Sequence, residues 1–332
     1  MIRRWVVVAL LVVGGCDDSG NTADMGMDLN ATVNDLSGGG ADLSVPDLSA
    51  STSLARGQEL VDHLLLCGTC HTTLDNNNMP STKPADYLAG GRKFTVNAGG
   101  DAGMITVYAP NLTPDDATGL GTWTESQIAD AIQVGVDSDG APLWPTMPYQ
   151  RFANLTNEDA MAIAAYLKSL PPQSHAVPED TGHPASAATT FDYTTLPHTT
   201  LATTDASYAS AERGRYLANL GCVSCHTGNG TGPTGVDVTK AFAGGRSFGG
   251  GVKSSNLTPD ATGLGGWTIA EIIATLKTDK QKGTGRLLLA PMPGGTGVDQ
   301  VGGLSADDLT DLAQFLHTLP PVANGPFGPP DM

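Results

Sequence analysis

Two short stretches decide what kind of chain this is: Cys67-Gly68-Thr69-Cys70-His71 in the first half and Cys222-Val223-Ser224-Cys225-His226 in the second. Both have the pattern Cys-x-x-Cys-His. The chain of 332 residues holds five cysteines, so only Cys16 lies outside the two motifs. A chain of this length accommodates about two domains. We therefore expect one motif in each domain.

The spacing within each motif fits the covalent attachment of a c-type haem. Two thiols about one helical turn apart can each form a thioether with a haem vinyl group, and the adjacent histidine then binds the iron. A zinc site needs four ligands where each motif supplies three, a redox-active dithiol needs no following histidine, and a disulfide rarely joins cysteines this close. The sequence thus predicts two covalently bound haem c groups. The attachment cysteines and iron-binding histidines are Cys67, Cys70 and His71 in the first half, and Cys222, Cys225 and His226 in the second.

The sequence around the two motifs is an internal repeat. Gly90-Gly91-Arg92 returns as Gly244-Gly245-Arg246, and Asn111-Leu112-Thr113-Pro114-Asp115 returns as Asn256-Leu257-Thr258-Pro259-Asp260. Four further pairs follow the same order: Ala55-Arg56-Gly57 with Glu212-Arg213-Gly214, Gly119-Leu120-Gly121-Thr122-Trp123 with Gly263-Leu264-Gly265-Gly266-Trp267, Met147-Pro148 with Met292-Pro293, and Leu170-Pro171-Pro172 with Leu319-Pro320-Pro321. We predict a duplicated domain, with copy 1 over residues 54–172 and copy 2 over residues 207–322. A linker over 173–206 joins them, and a tail follows over 323–332.

Each copy is expected to be all-α with long loops. Helical spacing runs from residue 53 to 66 into the first Cys-x-x-Cys. Capping boxes predict helices over 127–134 and 271–276, and the last helix of each copy ends at a Pro-Pro pair. The predicted N-terminal caps are Thr124, Thr156, Thr268 and Ser305. Gly57 and Gly214 could let the first helix of each copy closely approach the aromatic residue of its last helix, Tyr166 or Phe315; a simple surface glycine is the alternative.

The second axial ligand of each iron is predicted to be a methionine. Met292 is the only methionine between His226 and Met332, and the repeat aligns it with Met147. The other candidates in the first half are Met79, Met104 and Met161. Histidine–methionine ligation raises the reduction potential and fills both axial positions. Such an iron changes oxidation state without binding a substrate.

Other residues are weaker candidates for the haem surroundings. Arg92 and Arg246 could pair with haem propionates, because a planar guanidinium suits a carboxylate. Four side chains could line the haem edge, with loop packing and turn capping as the alternative role: Asn111, Asn256, Trp123 and Trp267. The remaining histidines are expected to be solvated or part of the core: His63, His175, His183, His198 and His317.

The N-terminus predicts export. Arg3 and Arg4 precede a short apolar run that ends in Gly14-Gly15-Cys16, which is typical of a bacterial lipoprotein signal over residues 1–15. An ordinary secretory signal with a chance cysteine is the alternative. Residues 16–53 then form an acidic stretch without aromatic residues, which predicts a disordered tether. We expect a protein on the periplasmic side, anchored to a bacterial membrane only by a lipid on Cys16.

The charge of the chain restricts its partners. The formal net charge is −17 at pH 7, and nucleic acid binding needs a basic surface. We therefore expect no nucleic acid partner, and expect redox proteins to dock through a basic patch of their own.

The ordered series of motifs resembles class I c-type cytochrome domains. From residue 54 to 321 it is similar to the cytochrome c subunits of membrane-bound alcohol and gluconate dehydrogenases. The resemblance implies electron transfer from a dehydrogenase or a quinol-oxidising complex toward an acceptor such as a terminal oxidase. Those subunits usually carry three haem domains and a different anchor, whereas this chain has two motifs.

Two other functions remain open at this point. One is a dihaem peroxidase or sulfur-compound dehydrogenase, in which one iron is accessible to a substrate. The other is a surface lipoprotein whose haems serve only as structural staples. The sequence favours an electron carrier over an enzyme and assigns no catalytic residue.

Overall fold

The computed structural model describes residues 53–74, 86–99, 103–180, 184–186, 188, 192–230, 235–248, 251–289, 292, 301–325 and 327. In copy 1 the helices are α1 (Ser53–Glu59), α2 (Cys67–His71), α3 (Glu125–Gln133), α4 (Tyr149–Phe152) and α5 (Asn157–Ser169). In copy 2 they are α6 (Tyr208–Gly221), α7 (Ile269–Thr278) and α8 (Ala306–His317). Within the described residues, no helix has the length and apolar character needed to cross a membrane.

The prediction of a purely helical fold needs one correction. Strands β1 (Lys93–Gly99) and β2 (Gly103–Tyr108) form an antiparallel hairpin in copy 1, with Val96 opposite Ile105. Along β1, exposed Lys93 and Thr95 alternate with partly buried Phe94 and Val96, which is the two-residue period of a strand. Among the described residues of copy 2, a single bridge forms at this place, between Ser247 and Lys253. The fold is therefore helical with one small two-stranded sheet.

The predicted helix caps are present. Thr124 and Thr268 each accept a hydrogen bond from the third residue of the helix, and Gln127 and Glu271 complete the capping boxes. The helices α3 and α7 begin two residues before the predicted starts, because the box residue is the third helical position and not the first. Thr156 and Ser305 cap α5 and α8 in the same way through their side-chain oxygens.

Glycine allows the first helix of each copy to cross the last helix closely. A Cβ atom built on Gly57 would lie 2.0 Å from the carbonyl oxygen of Ala162, and one on Gly214 would lie 1.8 Å from that of Asp311. No side chain fits at either position without separating the helices. The predicted approach to an aromatic residue is seen in copy 1, where Cβ of Tyr166 lies 2.7 Å from the atom built on Gly57, whereas in copy 2 the nearest atoms belong to the backbone of Asp311 and Leu312.

The two first helices differ where they approach their cysteine motifs. Copy 1 has two more residues between its helix glycine and its motif than copy 2 has. In copy 1 the helix continues as a π-helical turn over Leu60–Leu64, and Leu66 adopts a left-handed conformation with φ of 55°. A π-helical turn takes up extra residues without ending the helix. In copy 2, α6 runs without interruption to Gly221.

The stretch between the copies packs on both of them. Its first part lies on copy 1, where Asp180 Oδ1 accepts from the backbone N–H of Tyr108 at 2.9 Å. Further along, Tyr193 and Leu196 are buried, and Arg215 of α6 donates to both of their carbonyl oxygens. Much of the predicted linker is therefore part of the folded structure.

Arg56 is the buried centre of the interface between the two copies. Its guanidinium binds Asp159 through Nε at 2.9 Å and Nη2 at 3.1 Å, and its Nη1 donates to Asp308 of copy 2. Asp159 and Asp308 hold the same repeat position, the third residue of the last helix. One arginine thus compensates a carboxylate from each copy, and such a charge is costly to remove when it is buried.

Two further contacts near Arg56 connect the copies at equivalent positions of the repeat. The backbone N–H of Thr156 donates to the hydroxyl of Tyr216, which itself donates to Asp159 at 2.7 Å. In the opposite direction, the backbone N–H of Ser305 donates to the carboxylate of Glu59. Each first helix therefore supplies an acceptor for the N-cap of the other copy's last helix. The two copies form one compact unit.

We expect Arg56→Met to destabilise the protein by about 3–5 kcal/mol, because it leaves two buried carboxylates without their cation. The free energy of unfolding from guanidinium denaturation, followed by far-ultraviolet circular dichroism, measures the loss. The deficit should shrink as the pH falls, because burial raises the pKa of Asp308 and protonation then removes the charge of that carboxyl.

Arg213→Met is the matched control at the equivalent repeat position. Arg213 pairs only within copy 2, with Asp311 at 2.6 Å, and 28% of its side chain is exposed. Its loss should cost about 1–2 kcal/mol. Equal losses for the two variants would contradict the role given to Arg56.

Candidate haem sites

The histidine of each motif is held in the orientation that a haem ligand needs. His71 Nδ1 lies 2.9 Å from the carbonyl oxygen of Pro110, and His226 Nδ1 lies 2.9 Å from that of Ser255. A carbonyl oxygen can only accept, so Nδ1 carries the proton and the lone pair of Nε2 is free for a metal. Burial lowers the pKa of both histidines, which favours the neutral form that binds iron.

The Asn-Leu-Thr-Pro-Asp loops position those carbonyl groups. Asn111 Oδ1 accepts from the backbone N–H of Thr113 at 2.9 Å, and its Nδ2 donates to the carbonyl of Gln173 at 2.8 Å. Asn256 makes the equivalent bonds to Thr258 and to the carbonyl of Val322. Each asparagine thus accepts a hydrogen bond within its loop and donates one to the segment that follows the last helix of its copy. These bonds correspond to turn capping, the alternative role to lining the haem edge. Each loop begins directly after the residue whose carbonyl binds the motif histidine.

Arg92 and Arg246 lie against the cysteine motifs. Arg92 Nη1 donates to the carbonyl of Thr69, and Arg246 Nη1 donates to the carbonyl of Ser224 at 2.8 Å. Thr69 and Ser224 are the residues before the second cysteine of each motif. The two equivalent arginines therefore bring a positive charge to the same place in both copies. Their pairing with propionates remains a prediction.

Arg151 is a site residue that the sequence reasoning missed. It belongs to α4 of copy 1, but its guanidinium donates to the hydroxyl of Ser224 in the motif of copy 2. Burial raises the pKa of the Cys70 thiol, and the charges of Arg92 and Arg151 oppose that rise. Arg151 therefore lies close to both motifs.

The charge of Arg151 is not compensated by a carboxylate among the described residues. Burial lowers the pKa of its guanidinium, and the nearby charge of Arg246 lowers it further. The sequence offers one signal for Arg151. It lies four residues after Met147, whereas the residue four positions after Met292 is a threonine, so the arginine is not part of the repeat.

The two predicted methionine ligands occupy the same kind of turn. Met147 N–H donates to the carbonyl of Trp144, and Met292 N–H donates to that of Leu289, both at 3.0 Å. Met147 is partly buried against the core, whereas Met104 is 64% exposed and Met161 is 38% exposed. Met79 lies outside the described residues. Of the candidates described in copy 1, Met147 is the one that packs inward.

The remaining candidates have ordinary structural contacts. Trp123 and Trp267 are partly buried against the core, and Lys282 lies 5.3 Å from the ring centre of Trp267. His175 Nδ1 bonds to the carbonyl of Ala89 at 2.8 Å, and His198 pairs with Glu212 at 3.0 Å. His63 packs against Gly303 of copy 2, and His317 is exposed on α8. His183 and Cys16 lie outside the described residues.

The described residues fit a covalently bound haem in each copy. All four motif cysteines are partly buried, at the position where a haem would be attached. Each motif has a neutral histidine with a free Nε2 and a nearby cationic side chain. In addition, the buried Oδ1 of Asn219, three residues before Cys222, has no hydrogen-bond partner among the described residues. A thioether-linked porphyrin with anionic propionates matches this set of thiol, imidazole and guanidinium groups.

The crossed first and last helices and the histidine-bearing cysteine motif between them define a c-type cytochrome domain that occurs twice. The cytochrome c family profile matches residues 54–171 and 211–320. The chain belongs to the cytochrome c family, whose domains bind haem c covalently.

Relatives include the cytochrome c subunit of the quinone-dependent alcohol dehydrogenase of Gluconacetobacter polyoxogenes, 29% identical over 88% of this chain and 61% of that subunit. A dihaem c-type cytochrome of Cereibacter sphaeroides is 29% identical over 63% of this chain and 69% of its own length. The gluconate 2-dehydrogenase cytochrome c subunit of Pantoea cypripedii is 27% identical over 83% and 62%. The chain thus spans about three fifths of the dehydrogenase subunits it matches. This similarity indicates a role in electron transfer.

We expect each motif to hold one haem. The double variants Cys67→Ser/Cys70→Ser and Cys222→Ser/Cys225→Ser should each lose one of two haems, because the thioether bonds need the thiols. Intact-protein mass and the pyridine haemochrome absorbance per polypeptide give the count. Cys16→Ser is the control and should keep both haems. A variant that loses both haems, or neither, would contradict independent attachment.

Proposed function

We propose that the chain is a dihaem cytochrome that carries electrons from a membrane-bound or periplasmic dehydrogenase, or a quinol-oxidising complex, to a downstream acceptor. The observation that carries this proposal is the identical hydrogen bond from Nδ1 of His71 and of His226 to a backbone carbonyl. It leaves Nε2 of each histidine free as an iron ligand. Haem c, when bound, supplies a one-electron iron couple. The chain itself supplies the axial ligands, the orientation of the cofactor and its electrostatic surroundings.

Met147 and Met292 are the proposed second axial ligands. They follow equivalent turns, and Met147 packs inward where Met104 and Met161 are exposed. Protein ligands on both sides leave no open coordination position for peroxide or a sulfur compound. This favours an electron carrier over a dihaem enzyme.

Three arginines are proposed to hold the anionic propionates. Arg92 and Arg246 lie against the motif of their own copy, and Arg151 reaches from copy 1 to Ser224 in copy 2. A partly buried guanidinium without a carboxylate partner is unfavourable unless an anion compensates it. Propionates are the anions that a bound haem would bring to this place.

The packing of the copies supports electron exchange within the chain. Gly221 directly precedes the copy 2 motif, and a Cβ atom built on it would lie 2.8 Å from Cδ1 of Leu64, just before the copy 1 motif. Arg151 lies near Cys70 and Cys225 together. The motifs therefore face each other across the interface that Arg56 stabilises, and this arrangement is suited to a relay through two haems.

Attachment to a membrane is part of the same proposal. The signal pattern that ends at Cys16 and the acidic residues that follow it support a lipid-anchored protein on the periplasmic side. The similarity to dehydrogenase cytochrome subunits supports a dehydrogenase as the electron donor.

We expect Met147→Ala and Met292→Ala each to lower the midpoint potential of one haem by on the order of 100 mV or more, because axial ligands set haem potentials over a range of about 0.8 V. An anaerobic redox titration with optical spectra measures the potential and the methionine-to-iron charge-transfer band. Met161→Ala is the matched control on the surface and should change neither. Carbon monoxide binding to the untreated wild-type protein would favour the enzyme alternative instead.

Arg151→Gln should lower the potential of at least one haem by on the order of tens of millivolts, since loss of a nearby positive charge favours the oxidised iron. The same redox titration measures the shift. Lys240→Gln removes an equal charge from an exposed position of copy 2 and should leave both potentials unchanged because solvent screens it. Equal titration curves for the two variants would rule out the placement of Arg151 beside a haem.

A further inference from the structure

The two copies carry equivalent hairpins between their middle helix and their methionine turn. In copy 1, the N–H of Leu143 donates to the carbonyl of Gly135, and a bridge joins Val136 to Pro142. In copy 2, Leu288 donates to Asp279, and a bridge joins Lys280 to Leu287. The methionine turn follows directly, with Met292 bonded to Leu289. The same surface of each copy can therefore be compared residue by residue.

The charges of the two hairpin faces are opposite. The copy 1 face, residues 125–143, has four acidic side chains and no lysine or arginine. The copy 2 face, residues 269–289, has four basic and two acidic side chains. The four basic residues are Lys277, Lys280, Lys282 and Arg286, in a chain with only 17 lysines and arginines in total. Four basic residues of this acidic chain thus lie within the one segment that leads to Met292.

The copy 2 face presents these charges to solvent. All four basic side chains are exposed, whereas the carboxyl of Asp279 is buried. Glu271 binds Lys282 at 2.8 Å, so Lys277, Lys280 and Arg286 remain without an ion pair within the described residues.

Exposed apolar side chains lie on the same face. Leu287 is 56% exposed and Leu289 is 43% exposed. About half of the surface of each leucine stays in water in the folded chain, and a partner that covers the pair would bury it. An apolar centre with a charged rim is the usual composition of a protein–protein interface.

We propose that the copy 2 hairpin face docks a redox protein through an acidic surface of that partner, while the copy 1 face selects a partner with a basic surface. The inference rests on the proposed electron-transfer function and deepens it. Charge complementarity steers encounter and selects partners more than it adds affinity. Opposite charges at the two methionine turns therefore give the relay a direction, with different proteins at its two ends. The expectation of a basic partner patch then holds for copy 1 only.

The test measures how fast the fully reduced chain is oxidised by two small one-electron oxidants of opposite charge. The probes are anionic hexacyanoferrate(III) and cationic tris(phenanthroline)cobalt(III), which each accept one electron, so that one equivalent oxidises one haem. With a net charge of −17, the chain as a whole repels the anion, so a reaction governed by net charge would speed up as salt is added. Local attraction at the basic face predicts the reverse, a hexacyanoferrate rate that falls with salt.

Charge-reversal variants distinguish the effect of this face on the oxidation rate from the effect of the net charge. Lys280→Glu/Arg286→Glu should slow oxidation by hexacyanoferrate about tenfold at low salt, and it leaves the Lys282 contacts in place. Lys240→Glu/Lys253→Glu makes the same change in net charge elsewhere on copy 2 and should have a much smaller effect. Lys280→Gln/Arg286→Gln should show an intermediate decrease. On copy 1, Asp130→Lys/Asp139→Lys should slow the cationic probe and leave the anionic probe little affected.

Several outcomes would overturn the inference. One is an equal effect of the two charge-reversal variants, Lys280→Glu/Arg286→Glu and Lys240→Glu/Lys253→Glu. Another is a hexacyanoferrate rate that rises with salt in the wild type. A third is binding to anionic phosphatidylserine vesicles that Lys280→Glu/Arg286→Glu abolishes. The last would identify a lipid surface as the occupant. A chain that cannot be reversibly reduced at all would instead refute the proposed function, because no oxidation rate could then be measured in any variant.

Discussion

The hydrogen bond from Nδ1 of His71 to the carbonyl of Pro110, and its equivalent from His226 to Ser255, is the interaction on which both haem sites depend. It fixes which ring nitrogen carries the proton and leaves the lone pair of the other for a metal. The carbonyl is in turn held by the loop that Asn111 or Asn256 closes on itself. The repeated Asn-Leu-Thr-Pro-Asp motif thus acts on the iron through the histidine and does not need to contact the cofactor.

The interface between the two copies is asymmetric, although equivalent residues of the repeat take part in it. Asp159 and Asp308 occupy the same position in α5 and α8, yet both bind Arg56. Its equivalent, Arg213, turns to Asp311 within copy 2. Arg56 also pairs with Glu59 of its own helix, so this one buried cation serves three carboxylates. One copy therefore supplies the cation for the interface, and the two domains cannot exchange roles.

Much of the site follows from the sequence because covalent haem attachment has strict spacing requirements. The motif cysteines, their histidines, the helix caps and the two glycines at the helix crossings all depend on local geometry. The β1–β2 hairpin was missed because the alternation of polar and apolar residues along it is short. The equivalent described segment of copy 2 forms a bridge and no strand pair. Arg151 was missed for a different reason. Its position beside both motifs depends on how the two copies pack, and the repeat has a threonine and not an arginine at the equivalent position 296.

Duplication also explains where the two halves are free to differ. Changes at the proposed haem ligands or at the crossing glycines would disturb cofactor binding or the fold, so the copies stay alike there. The hairpin beside each methionine turn contacts solvent, and its backbone hydrogen bonds do not depend on the side chains. Opposite charges could therefore accumulate on Asp139 of one hairpin and Lys280 of the other at little cost in stability. A protein with two similar haem sites and two dissimilar surfaces can accept electrons at one end and release them at the other.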